Sequence, residues 1–192
     1  CIGFKSEDSP NGCDSYVSWS VKNKMTFDEI FQYMEDKGLI NRLKVEAVLK
    51  ITGGEPILQQ KQLLKFVEAL SEKYDFRPRI DFETNGTLMP DLKWVDDFGA
   101  TFTVSPKLTT NGDPESKTYK PDVLCYHANI QSCFKFVISK AEDIDEIWRK
   151  YVEDDKGINL ENYRIWFMPC CGSREEHIKV AVTVAEYAKQ MN

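Results

Sequence analysis

Apolar and polar positions along this chain follow two alternating periods. "MTFDEIFQYMEDKG" opens with Thr26 and Glu29 at capping-box spacing, carries Ile30, Phe31 and Met34 on one face, and stops at Gly38; this predicts a helix. The apolar and β-branched run Val45 to Ile51 predicts a buried strand, and Ile57 to Tyr74, with Leu63, Leu64, Val67 and Leu70 on one side, predicts a helix. The same succession continues. Arg79 to Glu83 reads as a strand running into a turn at Asn85-Gly86, "LKWVDDFG" as a short helix ended by Gly99, and "ATFTVSPK" as a strand closed by Pro106. Asn111 to Tyr119 is a polar loop and Asp122 to Asn129 a short helix. "CFKFVISK" is a strand, "AEDIDEIWRKYVED" a helix and "YRIWFMP" a strand. A closing helix runs from Ser173, its expected cap, to Gln190.

Strands that alternate with helices pair in parallel through helical crossovers. Five strands are too few for a closed eight-stranded barrel. The expected fold is therefore α/β, an open partial (β/α) barrel of parallel strands, and 192 residues suit one domain, 1–192. The chain starts at Cys1 in what reads as a loop, so further residues are expected before Cys1 and after Asn192. A net charge of −6 argues against nonspecific nucleic-acid binding, which needs basic patches. With no long apolar run and no basic leader followed by an apolar segment, no membrane span or secretion signal is expected, and the location expected is cytoplasmic.

In parallel α/β folds ligands gather at the carboxyl ends of the strands. Those ends carry Thr52-Gly53-Gly54-Glu55-Pro56, Glu83-Thr84-Asn85-Gly86-Thr87, Ser105-Pro106-Lys107, Ser139-Lys140 and Met168-Pro169-Cys170-Cys171. Taken alone, the first could be a tight strand-to-helix turn with Pro56 opening the helix. Glycines there also admit a ligand or another backbone closely, and Glu55 can accept hydrogen bonds. Several such ends in register argue for one site. Of the six cysteines, Cys125 and Cys133 sit in apolar runs and read as core. Cys1 and Cys13 lie in a loop ahead of the first strand; zinc or iron–sulfur ligation suits them, although the close C-x₂-C pair typical of zinc sites is absent. His127 and His177 read as surface or core residues.

Cys13-Asp14-Ser15, Thr52 to Pro56, Glu83 to Thr87, Ser105-Pro106-Lys107 and Met168-Pro169 together resemble the radical S-adenosylmethionine superfamily and, more narrowly, the 7-carboxy-7-deazaguanine synthases. GGEP alone is generic for the superfamily; the ordered set TGGEP, ETNGT and VSPK is more specific. The chain departs from the pattern in two ways. The first cluster cysteine would lie upstream of Cys1, and eleven residues separate Cys1 from Cys13, as in a variant with an insertion in the cluster loop. That Cys1 is not a ligand stays open.

The resemblance implies a [4Fe–4S] cluster held by Cys1, Cys13 and an upstream cysteine, whose free iron binds S-adenosylmethionine and whose electron cleaves it to a 5′-deoxyadenosyl radical. It implies that Gly12, Asp14, Gly53, Gly54, Glu55, Glu83, Ser105, Pro106, Lys107, Met168 and Pro169 hold the cofactor, that Ser15 ligates Mg²⁺, and that Thr52 contacts the substrate. The implied reaction converts 6-carboxy-5,6,7,8-tetrahydropterin to 7-carboxy-7-deazaguanine with loss of ammonia, for queuosine and other deazapurines. The implied partners are this pterin and an electron donor such as a flavodoxin, with a homodimer as one open assembly state. Two other classes remain: a different radical enzyme such as a glycyl-radical activase, and a non-catalytic binding relative that has lost its cluster.

Overall fold

The structure is a computed structural model and describes residues 24–153, 158–160, 164–171 and 173–190. Five strands form one sheet in the order β1-β2-β3-β4-β5, every neighbouring pair parallel. They are β1 (Val48–Ile51), β2 (Arg79–Thr84), β3 (Thr101–Val104), β4 (Ser132–Ile138) and β5 (Ile165–Pro169). The register pairs Ile51 with Phe82, Thr84 with Val104, Val104 with Phe134 and Ile138 with Pro169. All carboxyl ends therefore lie along one edge, as the open parallel sheet expected from the sequence requires.

Period-two alternation divides the sheet into two unlike faces. Ile51, Ile80, Phe82, Phe102, Val104, Phe134, Phe136 and Ile138 are buried in one core cluster with helical side chains. Those helical partners are Ile57 of the 3₁₀ turn Pro56–Gln59, Leu64 and Val67 of the helix Gln60–Tyr74, Trp94 of Leu92–Asp96, Leu124 of Pro121–Ala128 and Ile147 of Glu142–Ile147. Rings supply much of this contact: Phe82 lies edge-on to Trp94 at 4.7 Å and stacks with Phe102 at 5.4 Å. The opposite face carries Lys50, Asp81, Glu83, Thr101, Thr103, Cys133 and Lys135, none of them fully buried. Cys133 thus belongs to the polar face and is half-buried, as is Cys125, where the apolar runs around them predicted core positions.

The amino-terminal part differs from the sequence expectation. Thr26 and Glu29 form the capping box of α1 (Phe27–Asp36). Gly38, at φ 65°, ends that helix, but the chain re-enters helix at once as α2 (Leu39–Val45). Ile40 of α2 packs with Phe31, Met34 and Leu70 in a second cluster on the far side of the helix Gln60–Tyr74, and that burial carries the chain on as helix. Residues 45–47 are therefore not strand. Val45 is 77% exposed, and β1 is a four-residue strand at the edge of the sheet among the described residues, with only Ile51 buried, not a buried strand. Later in the chain, the polar loop expected over Asn111 to Tyr119 contains a helical turn at Glu115–Thr118, and the last turn of the helix after β4 widens to a π-turn at Trp148–Val152. Ser173 caps the closing helix Arg174–Gln190, its Oγ accepting from Glu176 N at 3.2 Å. Among the described residues no helix is long and apolar enough to cross a membrane.

Candidate active site

Glu55 organises the edge where the strands end. After β1 the chain runs through exposed Thr52, Gly53 and Gly54, with Gly53 at φ 139°, before turning into the 3₁₀ helix at Pro56. The Glu55 carboxylate caps that turn by accepting from Ile57 N at 3.1 Å. It also reaches the neighbouring strand, accepting from Thr84 Oγ1 at 2.8 Å and from Asn85 N at 2.8 Å. One side chain thereby fastens the end of β1 to the end of β2. Thr84, 2% exposed, accepts in turn from Gly86 N, and Asn85 Oδ1 closes an Asx turn on Thr87 N and Oγ1. The next strand end is joined by Ser105 N donating to Thr84 O at 2.7 Å.

Of the residues expected to hold a cofactor, Gly53, Gly54, Glu55, Glu83, Ser105, Pro106, Lys107, Met168 and Pro169 all fall on this carboxyl edge or just inside it, with Thr52 among them. They are not equally accessible. Thr52, Gly53, Gly54 and Met168 are exposed, whereas Ser105 and Pro106 are buried. Three of the roughly four acceptor positions of Glu55 are taken by protein donors, so its first role is to shape the edge. Cys1, Gly12, Cys13, Asp14 and Ser15, the residues expected at the cluster and at magnesium, lie outside the described residues. Among the described residues no group of three or more metal-type side chains converges.

Inside this edge the polar face holds a charge network that motif reading did not single out. Lys50 Nζ is 2.5 Å from Asp81 Oδ2 and 4.0 Å from Glu83 Oε2, and Lys135 Nζ contacts Glu83 Oε1. Thr101 Oγ1 donates to Asp81 Oδ1 at 2.8 Å. The hydrogen bond to Asp81 holds the Lys50 ammonium above its ordinary value, against the effect of partial burial. The signal was available in the alternation: Lys50, Asp81, Glu83, Thr101, Thr103 and Lys135 alternate with the apolar Ile51, Ile80, Phe82, Phe102, Val104, Phe134 and Phe136. A further unpredicted support is Glu146, 7% exposed, which accepts from Thr109 N and Oγ1 and from Lys150 Nζ at 2.9 Å. It pins the segment that follows Ser105-Pro106-Lys107.

The arrangement suits a zwitterionic ligand with polar rings. A Cβ built on Gly53 would meet no heavy atom within 4 Å, so open space borders the backbone there, next to exposed Thr52 and Gly54. The neighbouring face supplies cations and carboxylates in pairs. S-adenosylmethionine, which carries an ammonium, a carboxylate and hydroxyls, fits this set of groups.

The chain is 31% identical over 169 residues to a 7-carboxy-7-deazaguanine synthase of Pyrobaculum aerophilum, a match spanning 86% of the chain and 67% of that relative. The chain belongs to the 7-carboxy-7-deazaguanine synthase family. That family consists of lyases, so the chain is of an enzyme lineage. A second synthase of this name, from Hyperthermus butylicus, is 27% identical over 157 residues, covering 82% of the chain and 62% of the relative. One from Koribacter versatilis is 38% identical over 58 residues. The chain spans about two thirds of the length of the first two synthases. No family model matches it, and no solved structure does.

Proposed function

We propose that the protein acts as a 7-carboxy-7-deazaguanine synthase, converting 6-carboxy-5,6,7,8-tetrahydropterin to 7-carboxy-7-deazaguanine with loss of ammonia. The observation that carries this reading is the gathering of TGGEP, ETNGT, SPK and Met168-Pro169 along one sheet edge, tied together by Glu55, in a chain of this family. In this reading Cys1 and Cys13, with a cysteine upstream, hold a [4Fe–4S] cluster, and Ser15 offers a hydroxyl to Mg²⁺. Gly12, Asp14, Gly53, Gly54, Glu83 and Lys107 hold S-adenosylmethionine, and Thr52 meets the pterin. When bound, the cluster and S-adenosylmethionine supply a carbon radical able to take a hydrogen atom from the substrate.

The described residues contribute positioning. Gly53, at φ 139° and bordered by open space, lets a ligand approach the backbone. The Lys135–Glu83 and Lys50–Asp81 pairs keep opposite charges compensated on the face behind the edge, so that neither carboxylate nor ammonium has to be neutralised when water is displaced. Hydroxyls of Thr101 and Thr103 orient Asp81. An electron donor such as a flavodoxin and a cytoplasmic location accompany the proposal.

The test is anaerobic reconstitution with iron and sulfide, followed by incubation with the carboxytetrahydropterin, S-adenosylmethionine, Mg²⁺ and a reductant. Mass spectrometry should find 7-carboxy-7-deazaguanine. A protein that takes up its cluster and cleaves S-adenosylmethionine, yet leaves the pterin unchanged, would exclude this substrate.

A further inference from the structure

On the helix-covered side of the sheet, away from the polar face, a cavity of about 280 Å³ opens between the end of β4 and the inner face of the closing helix Arg174–Gln190. Its floor is apolar: Ile138 at 1% exposure, Val184 at 5%, and half-buried Val180. Tyr187 forms one side, and Lys140 and Lys179 stand at the rim on two different elements. The space exists because the chain turns away from the helix immediately after β4. Ser139 N and Lys140 N both donate to Asp143 Oδ2, at 2.7 and 3.1 Å, which holds the turn against the start of the following helix. The closing helix, in turn, packs chiefly on β5.

Like Lys37, Lys44, Lys61 and Lys65, the two rim lysines have no carboxylate within 4.0 Å among the described residues. In a chain of net charge −6, Lys50, Lys73, Lys93, Lys135 and Lys150 each lie within 4.0 Å of a carboxylate. Two uncompensated ammonium groups over a concave apolar floor, with a phenol ring alongside, ask for a ligand of matching design. We propose that this cavity binds an aromatic anion: a flat apolar ring against Ile138, Val180 and Tyr187, bearing a carboxylate, sulfonate or phosphate that reaches Lys140 and Lys179. The cavity floor lies on the opposite face of the sheet from the Lys135–Glu83 network, because Ile138 faces the helix layer while Lys135 and Glu83 face the other side.

Fluorescence titration of the full chain with 1-anilinonaphthalene-8-sulfonate tests this, with N-phenyl-1-naphthylamine, the same ring system without the sulfonate, as the neutral control. The expected result is one saturable site for the sulfonate, weakened by salt, and binding of the neutral compound at least about tenfold weaker, the cost of one lost charge-assisted contact. Lys140→Gln with Lys179→Gln should weaken sulfonate binding by about tenfold or more, while the neutral compound is unaffected. Val180→Phe should fill the floor and abolish both. Thermal melts establish that each variant is folded, and if Val180→Phe is not, the lysine pair decides alone. Absence of a saturable site, equal binding of the neutral compound, or wild-type sulfonate affinity in the lysine double variant overturns the proposal.

Discussion

Replacing Glu55 should loosen the sheet edge before it touches any chemistry. In Glu55→Ala three donors lose one shared acceptor: Ile57 N, Thr84 Oγ1 and Asn85 N. A hydrogen bond to a charged group contributes roughly 1.5–3 kcal/mol net, and a buried donor left without a partner costs roughly 1–3 kcal/mol. Thr84 is the worst placed of the three, since at 2% exposure water does not reach its hydroxyl, while Asn85 and the 3₁₀ turn lie nearer to solvent. Counting Thr84 in full and the other two at partial value gives a loss of about 3–5 kcal/mol for the alanine variant. Glu55→Gln can keep an oxygen for Ile57 N and Thr84 Oγ1 while its NH₂ group faces the one N–H donor at the other position, Asn85 N, so about 1–3 kcal/mol is expected. Urea unfolding at neutral pH, followed through the buried Trp94, measures both. The clamp is not a structural one if Glu55→Ala unfolds within about 1 kcal/mol of the wild type, or if glutamine proves worse than alanine.

Gly86→Ala should cost about 2–4 kcal/mol, because φ is +71° and the new Cβ would lie 2.8 Å from Val104 Cγ1 and 3.0 Å from Leu124 Cδ2; thermal melting of that variant beside Gly53→Ala, where the space is open, separates the clash from backbone strain. Burial pushes the His127 imidazole down from 6.5 to about 4, so the folded protein refuses a proton that the unfolded chain accepts. His127 therefore removes stability as pH falls from about 6.5 towards 4, at about 1.4 kcal/mol per pH unit, and between pH 7 and pH 5 the wild type should lose about 2 kcal/mol more than His127→Leu. Lys135→Met strips Glu83 of its nearer cation and should cost about 1–2 kcal/mol, most of it recovered by adding Glu83→Gln; additive single effects in a double-mutant cycle would show that the pair is not coupled.

The parallel sheet and the gathering of its strand ends on one edge were legible because two signals agree there. Strand-length apolar runs alternate with helix-length patterns, and the glycines, Pro56, Ser105 and Pro169 mark where the strands stop. The start of β1 was misread for a physical reason. Val45, Ala47 and Val48 are apolar, yet Val45 ends a helix and Val48 is an exposed strand residue, so residue type alone could not distinguish a buried strand from an exposed one. Gly38 also signalled a stop; it does end α1, but the packing of Ile40 against Phe31 and Leu70 starts a second helix directly, a tertiary effect outside any local window. At the site, Glu55 was recognised as an acceptor, but its donors on Thr84 and Asn85 come from some thirty residues away, and no spacing rule links them. Lys135 and Glu83 are farther apart still, and their pairing follows only from the registers of β2, β3 and β4.

The sheet order has a consequence for how the molecule assembles. Each strand pairs with the one made just before it: Val48 with Arg79, Asp81 with Thr101, Phe102 with Ser132 and Phe134 with Ile165. Every pairing closes a loop of roughly 20–30 residues, and loop-closure entropy grows only slowly beyond such lengths, by about 0.6 kcal/mol per doubling. Among the described residues no strand has to wait for a distant partner, since none inserts between two already formed. The sheet can therefore grow outward in one direction, strand by strand, in the order in which a ribosome releases the chain, and at each stage the exposed template edge is the one the next strand will cover.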